Sequence, residues 1–137
     1  MADPISVEVV AADRMVWEGQ ATNVIVRTTE GDVGILAGHE PLLAALVPCA
    51  AEIVTNDGRR ELVAIDGGFL SVAENKVSLV AQKASLFDEI STEEAQREHD
   101  RLSVKLDAGE ATDDEIHRLH LAEAQLKAAQ KQSKKGH

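Results

Sequence analysis

Hydrophobic and polar positions along this chain follow two periods, and the change falls near residue 87. From residue 5 to about 84 the period is two. Ile5, Val7 and Val9 alternate with Ser6 and Glu8, Val24 and Val26 bracket Ile25, and Ile53-Val54 runs into Asn56-Asp57-Gly58. Apolar runs over 62–65, 69–73 and 77–81 follow, separated by Gly67-Gly68 and by Glu74-Asn75-Lys76. Short β-branched runs broken by Gly, Asn and Asp predict an all-β sandwich or barrel over residues 1–86. Asn-Asp-Gly suits a hairpin because all three residues tolerate positive φ.

Past residue 87 the period becomes helical. Ser91-Thr92-Glu93-Glu94 reads as a capping box, in which the serine hydroxyl takes an early helix N–H and the glutamate reaches back. Ala95, His99, Leu102 and Leu106 then recur at spacings of four, three and four, which places them on one face. Gly109 is a natural stop. Thr112-Asp113-Asp114-Glu115 opens a second helix, with Ile116, Leu119, Ala122, Leu126 and Ala129 along its stripe. The pattern predicts helices over about 92–107 and 113–132. With so short a connection they form an antiparallel α-helical hairpin over 87–137, ending in a basic tail.

Composition sharpens this picture. The 137 residues suffice for one ordinary domain and a small appendage, and the scarcity of aromatics requires an aliphatic core. A net charge of −10 argues against nucleic acid and against docking on an anionic membrane surface. No run approaches the ~18 apolar residues of a membrane span, and the N-terminus lacks the blocks of a signal peptide. A soluble cytoplasmic protein is expected, touching a membrane only through a partner. The single cysteine, Cys49, fits a reducing compartment and reads as a small buried apolar residue.

Charge is sorted along the hairpin. Residues 88–115 carry eleven acids against Arg97, Arg101 and Lys105, whereas residues 116–135 carry five bases against Glu123. Macrodipole matching explains most of this sorting. The sharper reading makes Lys127, Lys131, Lys134 and Lys135 a basic tip for an acidic partner. The seam offers few large aliphatics, so the hairpin should depend on docking and could choose between docking sites.

Candidate chemistry concentrates in residues 30–47, EGDVGILAGHEPLLAALV. A phosphate loop needs a Lys and a Ser/Thr after its last glycine, but Gly38 is followed by His39, Glu40 and Pro41. The glycine spacing is wrong for a dinucleotide fingerprint. His39 lacks the further ligands of a metal site, and His117 and His120, three apart, read as ordinary helix-surface residues. No serine or cysteine stands in an activated setting. Gly31, Gly34 and Gly38 therefore read as turn makers between strands, where a Cβ would obstruct the backbone.

From Trp17 to Leu46 the chain resembles the epsilon subunit of bacterial F-type ATP synthases. The family pattern G-[DE]-x-G-I-L-P-x-H-x-P-L is matched from Gly31 to Leu42 except that Ala37 replaces Pro. The block IDGGFLSVAENKVSLVA over residues 65–81 resembles the family's second motif, and Cys49 stands where Gly is common. The resemblance implies a non-catalytic rotor subunit on the cytoplasmic face of the bacterial plasma membrane. Its β-domain would contact the gamma subunit and the proteolipid ring, with Asp32, His39 beside it, and Glu40 toward the ring. Its hairpin would lie folded or extend toward the catalytic alpha and beta subunits and restrain hydrolysis. Many members carry I-D-x-x-R-A, associated with ATP; here Ile90, Ser91, Glu94 and Ala95 occupy that motif, with Ser91 for Asp and Glu94 for Arg. Exchanging a cation for an anion disfavours a triphosphate, so no cofactor and no metal are expected. A free-standing nucleotide-sensing β-module with a closing hairpin is the alternative, and a cupin-like metalloenzyme lacks a ligand set. Removing everything after Ala84 is expected to spare assembly and synthesis but alter hydrolysis.

Overall fold

The structure, a computed structural model, describes residues 4–135 and the side chains of residues 4–132. Nine strands come first: β1 (Ile5–Ala11), β2 (Arg14–Thr28), β3 (Gly31–Leu36), β4 (Leu42–Leu46), β5 (Cys49–Thr55), β6 (Arg60–Ile65), β7 (Gly68–Ala73), β8 (Lys76–Val80) and β9 (Ala84–Leu86). A 3-10 turn, Phe87–Glu89, leads into α1 (Thr92–Asp107) and α2 (Asp113–Lys135). The fold is a β-sandwich followed by a helical hairpin.

The strands run in the order β1-β8-β7-β4-β2-β5-β6-β9, with β3 on β2 and β1 also paired to β2. At fifteen residues, β2 belongs to both layers. Its first half pairs antiparallel with β1, from Ala11↔Arg14 to Ile5↔Ala21. Its second half pairs with β5 (Ile25↔Glu52), with β3 (Val26↔Val33) and, at Thr28↔Leu46, with β4. Register shifts at Val9/Val10 and Ala21/Asn23 mark where the ladder bends between layers. The sequence pattern hides this strand because Glu18-Gly19-Gln20 interrupts its apolar run.

Alternation fills the core. Ile5, Val7, Val9, Val24, Val26, Ile53, Val63, Ile65, Leu70 and Leu79 are all essentially inaccessible, and among the described residues no helix residue joins this cluster. The sandwich therefore buries its own apolar face without the hairpin. Cys49 belongs to that core, and burial pushes its thiol above the ordinary range. The β7–β8 hairpin closes through Glu74 and Asn75, both left-handed at φ 52° and 62°, as a two-residue turn between right-twisted strands requires.

The three glycines of residues 30–47 do not share one role. Gly31 and Gly38 take positive φ at turns, but open space surrounds their Cβ positions, so conformation and not obstruction selects glycine. Gly34 lies mid-strand opposite Ile25 with no positive φ and nothing near it; it is no turn maker. Obstruction governs Gly68 instead, where a Cβ would fall 2.0 Å from the Val80 carbonyl oxygen.

Both helices open as their sequences require. The Ser91 hydroxyl accepts the Glu94 N–H (3.3 Å). At the second, Thr112 Oγ1 accepts the Glu115 N–H (3.1 Å) while the Glu115 carboxylate accepts the Thr112 N–H (3.0 Å), a complete box. That bond and the Lys105 ammonium, the larger cause, bring the Glu115 carboxyl down to about 2. Leu102 and Ala95 bury the inner face of α1, which packs on α2, and α2 packs on β5 and β6. Because α2 is covered on two sides, Ala124 and Ala128 are buried as well as Leu119 and Ala122, a second face made of alanines.

Candidate interaction surfaces

Asp32 stands at the start of β3, cross-strand from Arg27 of β2, and accepts two hydrogen bonds from its guanidinium (2.8 and 3.3 Å). Those bonds hold the Asp32 carboxyl below the usual range and raise the arginine in turn. Both side chains are more than half exposed, so the pair orients charge and adds little to stability. His39 lies beyond the opposite end of β3. Its Nδ1 is 2.7 Å from the Glu40 carbonyl oxygen, and the preceding Gly38 N–H donates to Asn75 Oδ1 (2.7 Å) in the β7–β8 turn. At ~3.3 Å of rise per residue, β3 carries the chain about 13 Å from Asp32 to Leu36, and the turn in which the His39 N–H donates to the Leu36 carbonyl (3.1 Å) keeps His39 at that far end. The two therefore do not lie side by side as expected: the extension of β3 holds them at its opposite ends. Glu40 is exposed beside His39, not beside Asp32.

The basic end of α2 is folded down. Lys127 Nζ donates to the Pro48 carbonyl (3.3 Å) and Lys131 Nζ to the Ala50 carbonyl (2.9 Å), while Arg60 reaches the Lys131 carbonyl (3.4 Å). Lys127, Lys131, Arg27, Asp32 and Cys49 border a cleft of about 290 Å³ between helix and sandwich. The side chains of Lys134 and Lys135 lie outside the described residues.

Ile90, Ser91, Glu94 and Ala95 serve the fold of the hairpin. Ile90 packs on the small cluster of Ala50, Leu62 and Ala128, Ser91 caps α1, and Ala95 is buried. A cleft of about 480 Å³ opens beside them, bordered by Lys83, Glu89, Glu94, Glu98 and Arg118. Its cations are already taken: Arg118 pairs with Glu98 (2.5 Å) and Lys83 with Asp114 (3.1 Å). Glu98 is shared with Arg101 (2.9 Å), and Glu89 is held by Arg14 (2.9 Å).

His117 is no ordinary surface residue. Its Nδ1 lies 2.6 Å from Oδ2 of Asp66, a carboxylate whose side chain is 1% exposed. The periodicity of α2 could not show this, because the partner is fifty-one positions away.

One surface escaped the sequence reading altogether. Ala45, Phe69, Val80, Val10 and Met15 are successive cross-strand partners on β4, β7, β8, β1 and β2. They lie on the outward face, Phe69 at 58%, Val80 at 47% and Met15 at 48% exposure, with Leu43 at 76% beside them. The signal was present: apolar residues at positions where alternation calls for polar ones. The hairpin covers β5 and β6 and leaves this face open.

Comparison with known proteins locates this architecture. A family model for the ATP synthase delta/epsilon chain β-sandwich domain matches residues 4–86. The ATP synthase epsilon chain of Cutibacterium acnes is 51% identical, covering 92% of each chain, and that of Corynebacterium diphtheriae is 41% identical, covering 97% of this chain and 98% of its own. A chain in the structure of Euglena gracilis mitochondrial ATP synthase, OSCP/F1/c-ring, has the same fold, with a TM-score of 0.72 at 24% identity over 93% of this chain and 81% of its own.

Proposed function

The chain belongs to the family of ATP synthase epsilon chains, non-catalytic subunits of that complex, and we propose that it works as a rotor part of the central stalk. The observation that carries this reading is the outward apolar row from Ala45 to Met15. A contiguous apolar face on a small acidic protein marks a protein contact, and the gamma subunit is the partner for it. Asp32 and Arg27, at the other end of β3 from His39, present alternating charge to the polar loops of the proteolipid ring. His39 and Glu40 do not share that end of the sandwich. The subunit is peripheral, on the cytoplasmic face of the bacterial plasma membrane. Among the described residues no helix is long and apolar enough to cross a membrane.

The hairpin is the regulatory element. Folded, it holds Lys127 and Lys131 against backbone carbonyls; extended, it would release them toward the alpha and beta subunits and restrain ATP hydrolysis. The reading assigns it no nucleotide: beside Ser91 the cations Lys83 and Arg118 are already paired, and Glu94 stands where the family motif has Arg. The test is hydrolysis by the assembled enzyme carrying a subunit cut after Ile90. A cut after Ala84 is too early, since Ser85 and Leu86 pair with Ala64 and Val63 in the sheet. We expect assembly and proton-coupled synthesis to persist while hydrolysis changes. An unchanged hydrolysis rate would sink the regulatory reading.

A further inference from the structure

We propose that Asp66 and His117 form a latch that sets how often the hairpin lies on the sandwich. The inference rests on the reading above that the hairpin leaves its docked position. Among the described residues the apolar cluster between hairpin and sandwich is small: Ala50, Leu62 and Ala128, with Phe87 and Ile90 at its margin. Polar contacts add to that packing, and these are unequal.

Toward the basic end of α2 the acceptors are neutral carbonyls, those of Pro48 and Ala50 for Lys127 and Lys131 and that of Lys131 for Arg60 (3.4 Å). Water replaces such a partner at small cost. Near the start of the helix, Lys83 and Asp114 make an ion pair, but Asp114 is 65% exposed, and pairs of that kind are weak. Gln125 donates to the Ser85 hydroxyl (3.0 Å), a bond between uncharged groups. Asp66 differs from all of these. Its Oδ1 is anchored by the Lys83 N–H (3.0 Å), and its own N–H donates to the Lys83 carbonyl (3.1 Å), so the β6–β7 turn and the β8–β9 connection hold it rigidly. Its Oδ2 is left pointing at α2, where His117 meets it at 2.6 Å. A hydrogen bond to a charged, shielded and pre-positioned acceptor is the strong member of such a set. Lys83 adds direction: its backbone grips Asp66 while its ammonium reaches Asp114, one turn before His117. Sandwich anion meets helix imidazole, and sandwich cation meets helix anion.

The test uses the full-length chain and hydrogen–deuterium exchange of residues 113–132. His117→Ala should raise their exchange about tenfold or more, the size of a lost bond to a charged group, with residues 5–80 unchanged. Alanine is the better helix former, so intrinsic helicity works against this outcome and cannot produce it. His117→Asn keeps an N–H donor near the place of Nδ1 and should recover most of the protection. Exchange in His117→Ala as slow as in the parent would overturn the latch, as would His117→Asn behaving like His117→Ala. Hydrolysis by the assembled enzyme separates the two readings. Faster exchange without altered hydrolysis keeps the latch and removes the regulatory role of the hairpin.

Discussion

Phe69→Ala tests the partner-facing row where it is most exposed. A phenylalanine offers roughly 200 Å² of contact surface; at 58% exposure about 115 Å² of it is still free to be covered. Covering that area gains about 3 kcal/mol at ~25 cal/mol per Å². Truncation to alanine removes the ring, roughly two-thirds of that gain, so binding to gamma should weaken by ~2 kcal/mol, about thirtyfold in Kd. The sandwich should lose about 1.4 kcal/mol, because roughly 85 Å² of the residue is already covered and truncation removes two-thirds of that contact. Calorimetric titration of isolated gamma with each variant measures the first quantity, and thermal unfolding of the subunit measures the second. Unchanged affinity would refute the assignment of this face. A weakened complex with a collapsed Tm would refute it too, since the loss would then come from a damaged sandwich.

Three further outcomes follow from the same geometry. Leu102→Ala empties an inaccessible site between α1 and α2 and should cost ~2–5 kcal/mol; helical circular dichroism should melt ahead of the sandwich, and one joint transition at the parental Tm would contradict it. The Glu115 carboxyl, held at about 2, contributes stability that is whole above its unfolded value near 4.5 and is lost as pH falls toward 2. Glu115→Gln should therefore flatten the hairpin's melting temperature across that window, and an identical acid profile would show that the Lys105 and Thr112 contacts are idle. Asp32→Lys sets two cations side by side on β2 and β3 and should impair proton-coupled synthesis with little change in thermal stability; normal coupling would remove Asp32 from the ring contact.

Much of this molecule could be read from its residues, for identifiable reasons. Alternation in 5–9 forecasts a buried strand because a half-buried sheet enforces period two, and the unbroken apolar run 62–65 forecasts one buried on both faces. The serine cap at Ser91 and the capping box at Thr112 placed both helix starts, since unsatisfied N–H groups need local acceptors. What stayed hidden depends on contacts remote in sequence. β3 and β4 hide behind glycines and alanines, the span of β2 behind a polar interruption, and the second face of α2 behind small residues that any surface tolerates. His117 gained its role only when the fold brought Asp66 to it. Asp32 and His39, seven positions apart, looked like neighbours because distance along a strand is invisible in a string of letters.

The fifteen-residue strand β2 has a mechanical consequence. Because it is hydrogen-bonded to β1, β3, β4 and β5, sliding one layer over the other would break backbone bonds along a single continuous strand. Shear applied to one layer is carried to the other through the chain itself. A body wedged between a turning shaft and a ring then passes torque with little twist of its own. The compliance of the subunit is left to the hairpin, which joins that stiff block through a small apolar cluster and a few polar contacts.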